Sequence, residues 1–291
     1  MIGSSVQKVA NTTKSNDSTN GTTVRKGRSN NITVNGCSYS SINTKNSNNS
    51  GKDLPPLPNK VPRHIAVIMD GNRRYARNII RSDPIQGHWA GGQTLVDFCQ
   101  WCIQDGIEMI TVYAFSTENW NRDEKEVSAL MSIFAKYAET FRVEALSRNV
   151  KVNVLSTDLD RMPVQVKESI RGLQEATKDC TGFIVNICLS YGSRAELVQA
   201  CKNIAKEHKE GLLDVNSLNE DMLSNYMITK SIPDPDILIR TSGEYRISNF
   251  LLWQMAYTEM FFVDKYWPEL NHCDLRNILN QFSSRCRRYG I

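Results

Sequence analysis

The 291-residue sequence has no uninterrupted apolar run long enough to cross a bilayer, which takes about 20 residues. Its first segment also lacks the continuous apolar core of a secretory signal, so we do not expect secretion. A net charge of +4 from dispersed basic residues is too small to indicate nucleic-acid binding. Eight cysteines do not make a disulfide framework in a chain of this length, so we expect a reducing, intracellular compartment.

Familiar catalytic and metal-binding signatures are missing as well. There is no G-x-x-x-x-G-K-[ST] phosphate loop, and no serine–histidine–acid arrangement stands out. Cys99 and Cys102 have C-x-x-C spacing, but they fall inside a helical pattern with no second pair nearby. Core packing is therefore favoured for them over a zinc or redox role.

The first 50 residues are poor in apolar and acidic side chains. Of these residues, 27 are Asn, Ser or Thr, and Asp17 is the one acidic residue. Such a segment cannot bury enough apolar surface to offset its ordering entropy, so we expect disorder. The composition resembles an organelle transit peptide, but the weak amphipathic pattern fits an inert tail equally well. The Pro-rich residues 54–58 form an extended linker, so we divide the chain into a tail, 1–58, and one globular domain, 59–291.

Short β-branched runs alternate with helical patterns throughout the domain. Strands are predicted at 64–69, 109–115, 150–155, 183–189, 237–240 and 260–263, and helices at 72–80, 88–105, 125–148, 164–177, 194–209, 220–226 and 274–287. Strands that are apolar on both faces and separated by helices predict an α/β fold with a mostly parallel, helix-covered sheet. In such a sheet, ligands bind beyond the carboxyl ends of the strands.

The most informative segment is H-I-A-V-I-M-D-G-N-R-R-Y-A, residues 64–76. It places Asp70 after an apolar strand, Gly71 where backbone can approach a ligand, and paired arginines at the start of a helix. A carboxylate beside a phosphate site is the setting in which Mg²⁺ binds. The alternative is an ordinary strand–turn–helix junction, with Asp70 as the helix N-cap.

Other polar residues cluster after later strands. His88 follows the first helix and can either bind phosphate or pack, and Ser116, Asn119 and Arg122 follow the second strand, where a capped helix start is the alternative. Near the C-terminus, Arg240, Arg246 and Ser248 can hold a diphosphate, the alternative being ion pairs with Glu244 or Asp236. Glu259, at the final strand, is a second carboxylate that could reach a metal or lie at an exposed strand edge. Two phosphate clusters, two carboxylates and abundant apolar surface fit a reaction that joins two diphosphates with apolar tails.

Five segments, in order, resemble one family. They are the 64–76 segment, G-H-x-x-G, Y-A-F-S-T-E-N-W-N-R, N-I-C-L-S-Y-G-S-R, and D-P-D-I-L-I-R-T-S-G-E-Y-R-I-S-N-F-L-L-W-Q. Together they resemble the cis-prenyltransferases, the undecaprenyl and dehydrodolichyl diphosphate synthases. The resemblance implies a six-stranded parallel sheet, a homodimer, Mg²⁺, and stepwise addition of isopentenyl diphosphate to an allylic diphosphate with cis double bonds. The paired D-D-x-x-D motifs of the all-helical trans-prenyltransferases are absent.

The resemblance also implies roles for individual residues. It makes Asp70, Asn119 and Ser116 catalytic, and Asp70 and Glu259 the metal carboxylates. It assigns the allylic diphosphate to Gly71, Asn72, Arg73, Arg74, His88 and Arg122. It assigns isopentenyl diphosphate to Arg240, Arg246, Ser248, Arg288 and Gly290, the last two within a terminal R-x-G that crosses the dimer. Ala114, Val150 and Phe183 are candidates for limiting product length.

The product favoured by the sequence is a long, dehydrodolichyl-type diphosphate made from a primer such as farnesyl diphosphate. Alternatives are a short- or medium-chain synthase, or a subunit of a heteromeric complex, although the chain keeps both D-G-N-R-R and R-x-G. We expect a cytoplasmic protein or one peripheral to the endoplasmic reticulum, held there by its lipid product, with plastid-type targeting by the tail left open.

Overall fold

The structure, a computed structural model, describes residues 54–285. Its strands are β1 (His64–Ile68), β2 (Met109–Ser116), β3 (Lys151–Leu155), β4 (Ile184–Tyr191), β5 (Ile237–Thr241) and β6 (Glu259–Val263). Its helices are α1 (Asn72–Asn78), α2 (Pro84–Gln104), α3 (Glu124–Ser147), α4 (Val164–Thr177), α5 (Ser193–Lys209), α6 (Glu220–Asn225) and α7 (His272–Ser284). No helix among these residues is long and apolar enough to span a membrane.

The six strands form one parallel sheet in the order β3-β4-β2-β1-β5-β6. This confirms the α/β class and the parallel sheet expected from the sequence. β1 lies centrally, with β2 as its neighbour on one side and β5 on the other. The strands β2, β4 and β3 therefore lie on one side of β1, and β5 and β6 lie on the other. A ligand crevice forms at such a reversal of strand order, beyond the carboxyl ends of the strands. Asp70 lies at this point.

Both faces of the sheet are covered, which is why its strands are apolar on both sides. Alternate residues of β1 point to opposite layers: Ile65 and Val67 pack with Phe98 of α2 and Leu275 of α7, whereas Ala66 packs on the other face. A third cluster joins the end of β2 to α3 and α4, and includes Phe115, Leu130, Met131 and Val166. This last cluster adjoins the cavity described below.

Helix α2 begins at Pro84, four residues before the predicted start. The physical reason is a local N-cap: the Asp83 carboxylate accepts a hydrogen bond from the Ile85 amide at 2.8 Å, and Pro84 occupies the first helical position. The predicted helices 72–80 and 88–105 leave a loop at 81–87, whereas the observed loop between α1 and α2 covers only residues 79–83. His88 therefore lies within the helix. Cys99 and Cys102 are buried on the same helix, and burial raises the pKa of the Cys99 thiol to about 12, which confirms core packing.

Polar side chains link four strands near the amino edge of the sheet. His64 Nε2 lies 2.7 Å from Thr111 Oγ1, Asn186 Nδ2 donates to the same hydroxyl at 3.1 Å, and Asn153 Nδ2 donates to Asn186 Oδ1 at 2.9 Å. Burial lowers the pKa of His64 to about 4, against a smaller opposing effect of its hydrogen bond to Pro233. His64 is thus a neutral, structural histidine at physiological pH.

The Pro-rich residues before β1 lie on α7. The carbonyl of Pro55 accepts a hydrogen bond from Arg276 Nη1 at 3.0 Å, and that of Pro56 accepts one from Asn280 Nδ2 at 3.1 Å. Arg276 is itself held by the fully buried carboxylate of Asp105 at 2.7 Å. The segment predicted as a linker thus has no regular secondary structure but makes specific contacts with the last helix.

Candidate active site

Asp70 lies two residues beyond β1, and its carboxylate is held between two arginines. Oδ2 accepts from Arg240 Nη2 at 2.8 Å, and Oδ1 accepts from Arg74 Nη2 at 3.2 Å. Burial by itself raises the pKa of Asp70, but the hydrogen bond and charge of Arg240, together with Arg74, outweigh burial and bring the pKa below its ordinary value. Asp70 is therefore an ionised carboxylate at neutral pH. Its N-cap alternative is not seen, because the N-cap of α1 is Gly71.

Gly71 is required by both conformation and space. Its φ of 101° is in the left-handed region, and a Cβ at this position would lie 2.8 Å from Ser242 Oγ and 2.9 Å from a ring carbon of Tyr266. The chain can therefore turn directly from Asp70 into α1. That turn brings the two arginines of the first helical turn beside the carboxyl ends of the strands.

The two consecutive arginines face different clusters. Arg74 contacts Asp70 and, through Nη1, the Glu244 carboxylate at 2.8 Å, and Glu244 also pairs with Arg246. These residues, with Arg240 and Ser248, form what we call the Asp70 cluster. Hydrogen bonds from Arg246 and then Arg74 lower the pKa of Glu244. Arg74 thus joins residues predicted for isopentenyl diphosphate, although the sequence had grouped it with the allylic site.

Arg240 is buried, and the loop after β5 folds around it. Its Nη1 donates to the Arg246 carbonyl and to Ser248 Oγ, the latter at 2.9 Å. Ser248 and Asn249 have φ values of 49° and 63°, a left-handed conformation that non-glycine residues rarely adopt. The alternative of ion pairs is therefore seen in part: Arg246 pairs with Glu244, whereas Arg240 pairs with Asp70 and not with Glu244 or Asp236.

Arg73 faces the second group, which we call the Arg122 cluster. Glu126 on α3 accepts from Arg122 at 3.0 Å and lies 3.3 Å from Arg73, so one carboxylate joins α1 to α3. His88 lies nearby on α2. Burial, together with the smaller effect of the charges of Arg122 and Arg73, lowers the pKa of His88 to about 4. Arg73, Arg122 and His88 are three of the six residues that the resemblance assigned to the allylic diphosphate.

Ser116 and Asn119 form the turn between β2 and α3. The Asn119 carboxamide oxygen accepts a hydrogen bond from the Ser116 amide at 3.1 Å, and residues Thr117–Asn121 form a 3₁₀ turn. α3 is capped by Asp123, whose side chain accepts from the Lys125 amide at 3.0 Å. Asn119 therefore shapes the loop that carries Arg122, and Ser116 is nearly buried beside it.

Buried polar atoms without partners mark this region as a ligand site. Of six such side-chain atoms among the described residues, four belong to residues of the two clusters, the cavity lining or the turn beside Gly71: Asn72 Oδ1, His88 Nε2, Arg240 Nε and Ser242 Oγ. Most buried polar groups in native proteins are hydrogen-bonded, so unpaired ones concentrated in one place indicate a missing ligand or water.

An apolar cavity begins beside Asn72 and His88. It encloses about 860 Å³ of empty space, part of it open to solvent, and runs between α2, α3 and the sheet. Ala114, one predicted length-limiting residue, lines it. Val150 and Phe183 are buried in the core but do not line this cavity, because they lie toward the amino edge of the sheet. The arrangement suits a molecule with an anionic head and a long apolar tail.

Glu259 is not brought together with Asp70. In the register of the sheet, Glu259 pairs with Ile237 at the amino end, whereas Asp70 follows the carboxyl end of β1. Glu259 instead accepts from Arg285 Nη1 at 3.0 Å, where the described chain ends. One chain therefore does not place both predicted metal carboxylates at one site. Arg288 and Gly290 lie outside the described residues.

Two acidic residues of the site were not predicted as members of it. Glu126 bridges Arg73 and Arg122, and Glu244 bridges Arg74 and Arg246. The i,i+4 spacing of Arg122 and Glu126 was a signal for the first. Glu244 was considered in the sequence only as an alternative partner of an arginine.

Comparisons with known proteins show relatives over most of the chain. Residues 68–290 match the model of a family described as "Putative undecaprenyl diphosphate synthase". An isoprenyl transferase of Bacillus cereus is 44% identical over 231 residues, covering 79% of this chain and 88% of the relative. A tritrans,polycis-undecaprenyl-diphosphate synthase (geranylgeranyl-diphosphate specific) of Pyrococcus horikoshii is 42% identical over 232 residues, covering 79% and 87%.

A solved structure shares the fold. It is lavandulyl diphosphate synthase from Lavandula x intermedia in complex with dimethylallyl diphosphate, with a TM-score of 0.76 and 29% identity over 79% of this chain and 99% of that one. The sequence motifs, the sheet order and these matches agree. The chain is a prenyltransferase and belongs to the undecaprenyl diphosphate synthase family, the cis-prenyltransferases.

Proposed function

We propose that this chain condenses isopentenyl diphosphate, step by step, onto an allylic diphosphate such as farnesyl diphosphate, forming cis double bonds. The observation that carries the proposal is the position of Asp70, which is paired with Arg240 and Arg74 in one arginine cluster, while its chain neighbours Met69 and Asn72 line the apolar cavity. Each cluster supplies cations for one diphosphate, and the cavity accepts one apolar tail. Two anionic substrates and a growing hydrocarbon are thereby accommodated together.

The allylic substrate is proposed to bind with its diphosphate at the Arg122 cluster and its tail in the cavity. Arg73 and Arg122 supply charge, and the unpaired Nε2 of His88 lies at the cavity mouth. Because its pKa is low, His88 meets the ligand as a neutral imidazole. A bound dianion would favour protonation of the ring and so strengthen its own binding.

Isopentenyl diphosphate is proposed to bind at the Asp70 cluster. Arg240 and Ser248 already form a hydrogen-bonded pair, and Arg74 and Arg246 share the Glu244 carboxylate. A diphosphate offers these cations more charge and more acceptor oxygens than a single carboxylate does. Substrate would therefore replace carboxylates as the partner of pre-positioned arginines.

The proposed chemistry needs positioning more than it needs a protein nucleophile. The allylic C–O bond breaks and its electron pair leaves with diphosphate. The alkene of isopentenyl diphosphate then supplies the electrons of the new C–C bond, and one proton is lost to restore a double bond. The site holds both reactants in place and neutralises the leaving group, which are the main sources of rate in such a reaction.

Mg²⁺ fits this site through one carboxylate. The described residues contain no group of three or more His, Cys, Asp or Glu that could hold a metal by themselves. Mg²⁺ commonly uses one or two carboxylates with substrate phosphates and water, and Asp70 supplies such a ligand. The ion would neutralise diphosphate charge.

A homodimer is proposed to form at the β6 edge of the sheet. At the opposite edge, the outward amides of Val152 and Val154 donate to Thr177 and Gln174 of α4. Among residues 54–285, no side-chain acceptor is seen on the outward amides of Met260 and Phe262 in β6, and Met260 is 38% exposed. An open edge is a template for pairing with another chain. Glu259 and Arg285 lie on the same edge, so Glu259 would act with the terminal R-x-G segment and reach a metal site of a second copy.

The product is proposed to be a polycis-prenyl diphosphate, with a dehydrodolichyl role as the finer form of the proposal. Support comes from Ala114, whose small side chain leaves the cavity wall open at that position. A short- or medium-chain product is the alternative. A released polyprenyl product would bring the enzyme to the face of an intracellular membrane, as expected for an endoplasmic-reticulum location.

The test is to incubate the purified chain with labelled isopentenyl diphosphate and farnesyl diphosphate, with and without Mg²⁺. The proposal predicts butanol-extractable labelled polyprenyl products with newly formed cis double bonds, and loss of activity in chelator. Product restricted to a single condensation would support the short-chain alternative. No incorporation by the chain alone, but incorporation with a second purified family member, would support the heteromeric alternative.

A further inference from the structure

Asn249 lies in the loop that follows β5, directly after a member of the Asp70 cluster. That neighbour is Ser248, whose hydroxyl accepts a hydrogen bond from Arg240 Nη1 at 2.9 Å. The φ of Asn249 is 63°, in the left-handed region, which Asn adopts more readily than most other non-glycine residues do. The side chain of Asn249 therefore starts from a special backbone conformation beside the Asp70 cluster.

Both ends of the Asn249 carboxamide have partners. Oδ1 accepts a hydrogen bond from the Arg194 amide at 2.9 Å, and Nδ2 donates to Glu118 Oε1 at 2.9 Å. A backbone amide can only donate and an ionised carboxylate can only accept, so these two partners fix the orientation of the carboxamide. The Asn249 carbonyl also accepts from the Ser193 amide at 2.9 Å. Asn249 thus joins the first turn of α5 to Glu118.

Glu118 belongs to the turn that carries the Arg122 cluster. It lies in the 3₁₀ turn Thr117–Asn121, which ends directly before Arg122. Burial raises the pKa of Glu118, but hydrogen bonds from Asn249 and from its own neighbours outweigh burial and bring the pKa below its ordinary value. Glu118 is therefore ionised at neutral pH, and its hydrogen bond with Asn249 is charge-assisted.

Gly192 leaves the space in which this contact forms. A Cβ at this position would lie 2.6 Å from Thr117 Oγ1 and 2.8 Å from Asn249 Nδ2. The φ of Gly192 is −152°, so close approach and not backbone conformation requires glycine here. The turn before Arg122 and the loop after Ser248 therefore meet directly at the start of α5.

We propose that Asn249 is a positioning residue that holds the two diphosphate sites at a fixed separation. Its hydrogen bond to Glu118 joins the loop of the Asp70 cluster to the turn of the Arg122 cluster. Formation of the new C–C bond requires the two reacting carbons to approach to about 3–3.5 Å. A shift of one loop against the other would therefore slow condensation without removing a contact to either substrate. This inference rests on the proposed function.

The first test is Asn249→Gly, which tolerates the left-handed backbone and removes both side-chain hydrogen bonds. Turnover is measured with saturating isopentenyl diphosphate and farnesyl diphosphate, and the binding of each substrate alone is measured by calorimetry, since one substrate alone cannot condense. We expect kcat to fall about 10- to 100-fold, the scale of a misplaced reacting group, while each single-substrate dissociation constant stays close to the wild-type value.

The second test exchanges donor and acceptor. In Asn249→Asp the new carboxylate can still accept from the Arg194 amide but cannot donate to Glu118, so kcat is expected to fall. Adding Glu118→Gln supplies the missing donor from the other side and keeps the total charge of the pair, and most of the lost kcat is expected to return. Asn203→Asp makes the same change on α5, where the side chain accepts from Gln199, and should keep the wild-type kcat.

Failure of this inference is distinguishable from failure of the proposed function. If the wild type makes no prenyl product, the proposed function is wrong. If the wild type is active, the inference is overturned by an unchanged kcat in folded Asn249→Gly, or by a loss of kcat that an equal loss in binding of one substrate explains. It is also overturned if Glu118→Gln restores no activity to Asn249→Asp. Should Asn249→Gly fail to fold by circular dichroism, the exchange of donor and acceptor decides alone.

Discussion

At the residue scale, the site is built from arginines that carboxylates hold in place before any substrate binds. Asp70, Glu126 and Glu244 each bridge two guanidinium groups. An unpaired arginine as buried as Arg240 would be costly, so these carboxylates also stabilise the folded chain. Their second effect is to hold the arginines at the positions where the proposed diphosphates would bind.

Replacing Arg240 or Arg246 by Ala is expected to weaken isopentenyl diphosphate binding much more than allylic binding. Each change removes one charge-assisted contact of about 1.5–3 kcal/mol, or roughly 10- to 150-fold in the dissociation constant. Arg122→Ala is the matched control and is expected to show the opposite preference. Equal losses for both substrates in direct binding assays would mean that the clusters do not divide the substrates in this way.

The low pKa of His88 predicts a pH dependence of stability. Its pKa is about 4 in the folded chain and about 6.5 when unfolded, so the unfolded state takes up a proton first as the pH falls. The free energy of unfolding that depends on neutral His88 is therefore fully present above pH 6.5. It falls by about 3 kcal/mol in total as the pH is lowered toward 4. His88 Nε2 has no hydrogen-bond partner among the described residues, so His88→Leu should remove this slope without breaking a bond there. Urea unfolding of both proteins between pH 7 and 4.5 measures it, and identical slopes would contradict the assignment.

At the scale of elements, periodicity predicted every strand and the main helices, because buried parallel strands are continuous apolar runs and helices have an apolar face. What could not be predicted was set by local capping or by tertiary contact. α2 begins at Pro84 through the Asp83 cap, which periodicity does not indicate. The amino-end position of Glu259 does follow from the predicted strand 260–263, and it is the resemblance that had assigned this residue to the same metal site as Asp70.

The Pro-rich segment gives a prediction about truncation. Deleting residues 1–52 is expected to leave turnover unchanged, since it keeps the contacts of Pro55 and Pro56 with α7. Deleting residues 1–58 removes both contacts and leaves Arg276 with one fewer acceptor, so we expect a loss of about 1–2 kcal/mol in unfolding free energy. Asn280→Ala, which removes one of the two hydrogen bonds, should lie between them. Equal melting temperatures for all three proteins would show that the segment does not brace α7.

At the scale of the whole molecule, the α/β class and the parallel sheet followed from the sequence alone, and the family followed from five motifs in order. The predicted pairing of Asp70 and Glu259 in one metal site is not observed, because one chain holds these two residues at opposite ends of the sheet. The proposed homodimer, in which each site would be completed by the partner's terminal segment, would account for this separation.

The dimer proposal is tested by complementation. Removing residues 288–291 and, separately, changing Asp70 to Ala are each expected to abolish most activity. In a mixed dimer, one site keeps Asp70 and receives an intact terminal segment from its partner, so part of the activity should return. No recovery despite demonstrated subunit exchange would show that the tail acts within its own chain.

The central claim is that this chain carries out prenyl transfer at Asp70, and the most direct test is the rate of diphosphate release by wild type and Asp70→Asn. Asn keeps the size of the side chain but removes the charge that joins Arg74 and Arg240 and would hold Mg²⁺. We predict a fall of about 100-fold or more, the scale expected when a preorganised charged group is lost from an active site. Asp97→Asn, at a carboxylate that accepts from Gln93 on α2, is the control and should keep the wild-type rate. A near-wild-type rate for folded Asp70→Asn at saturating Mg²⁺ would contradict the account.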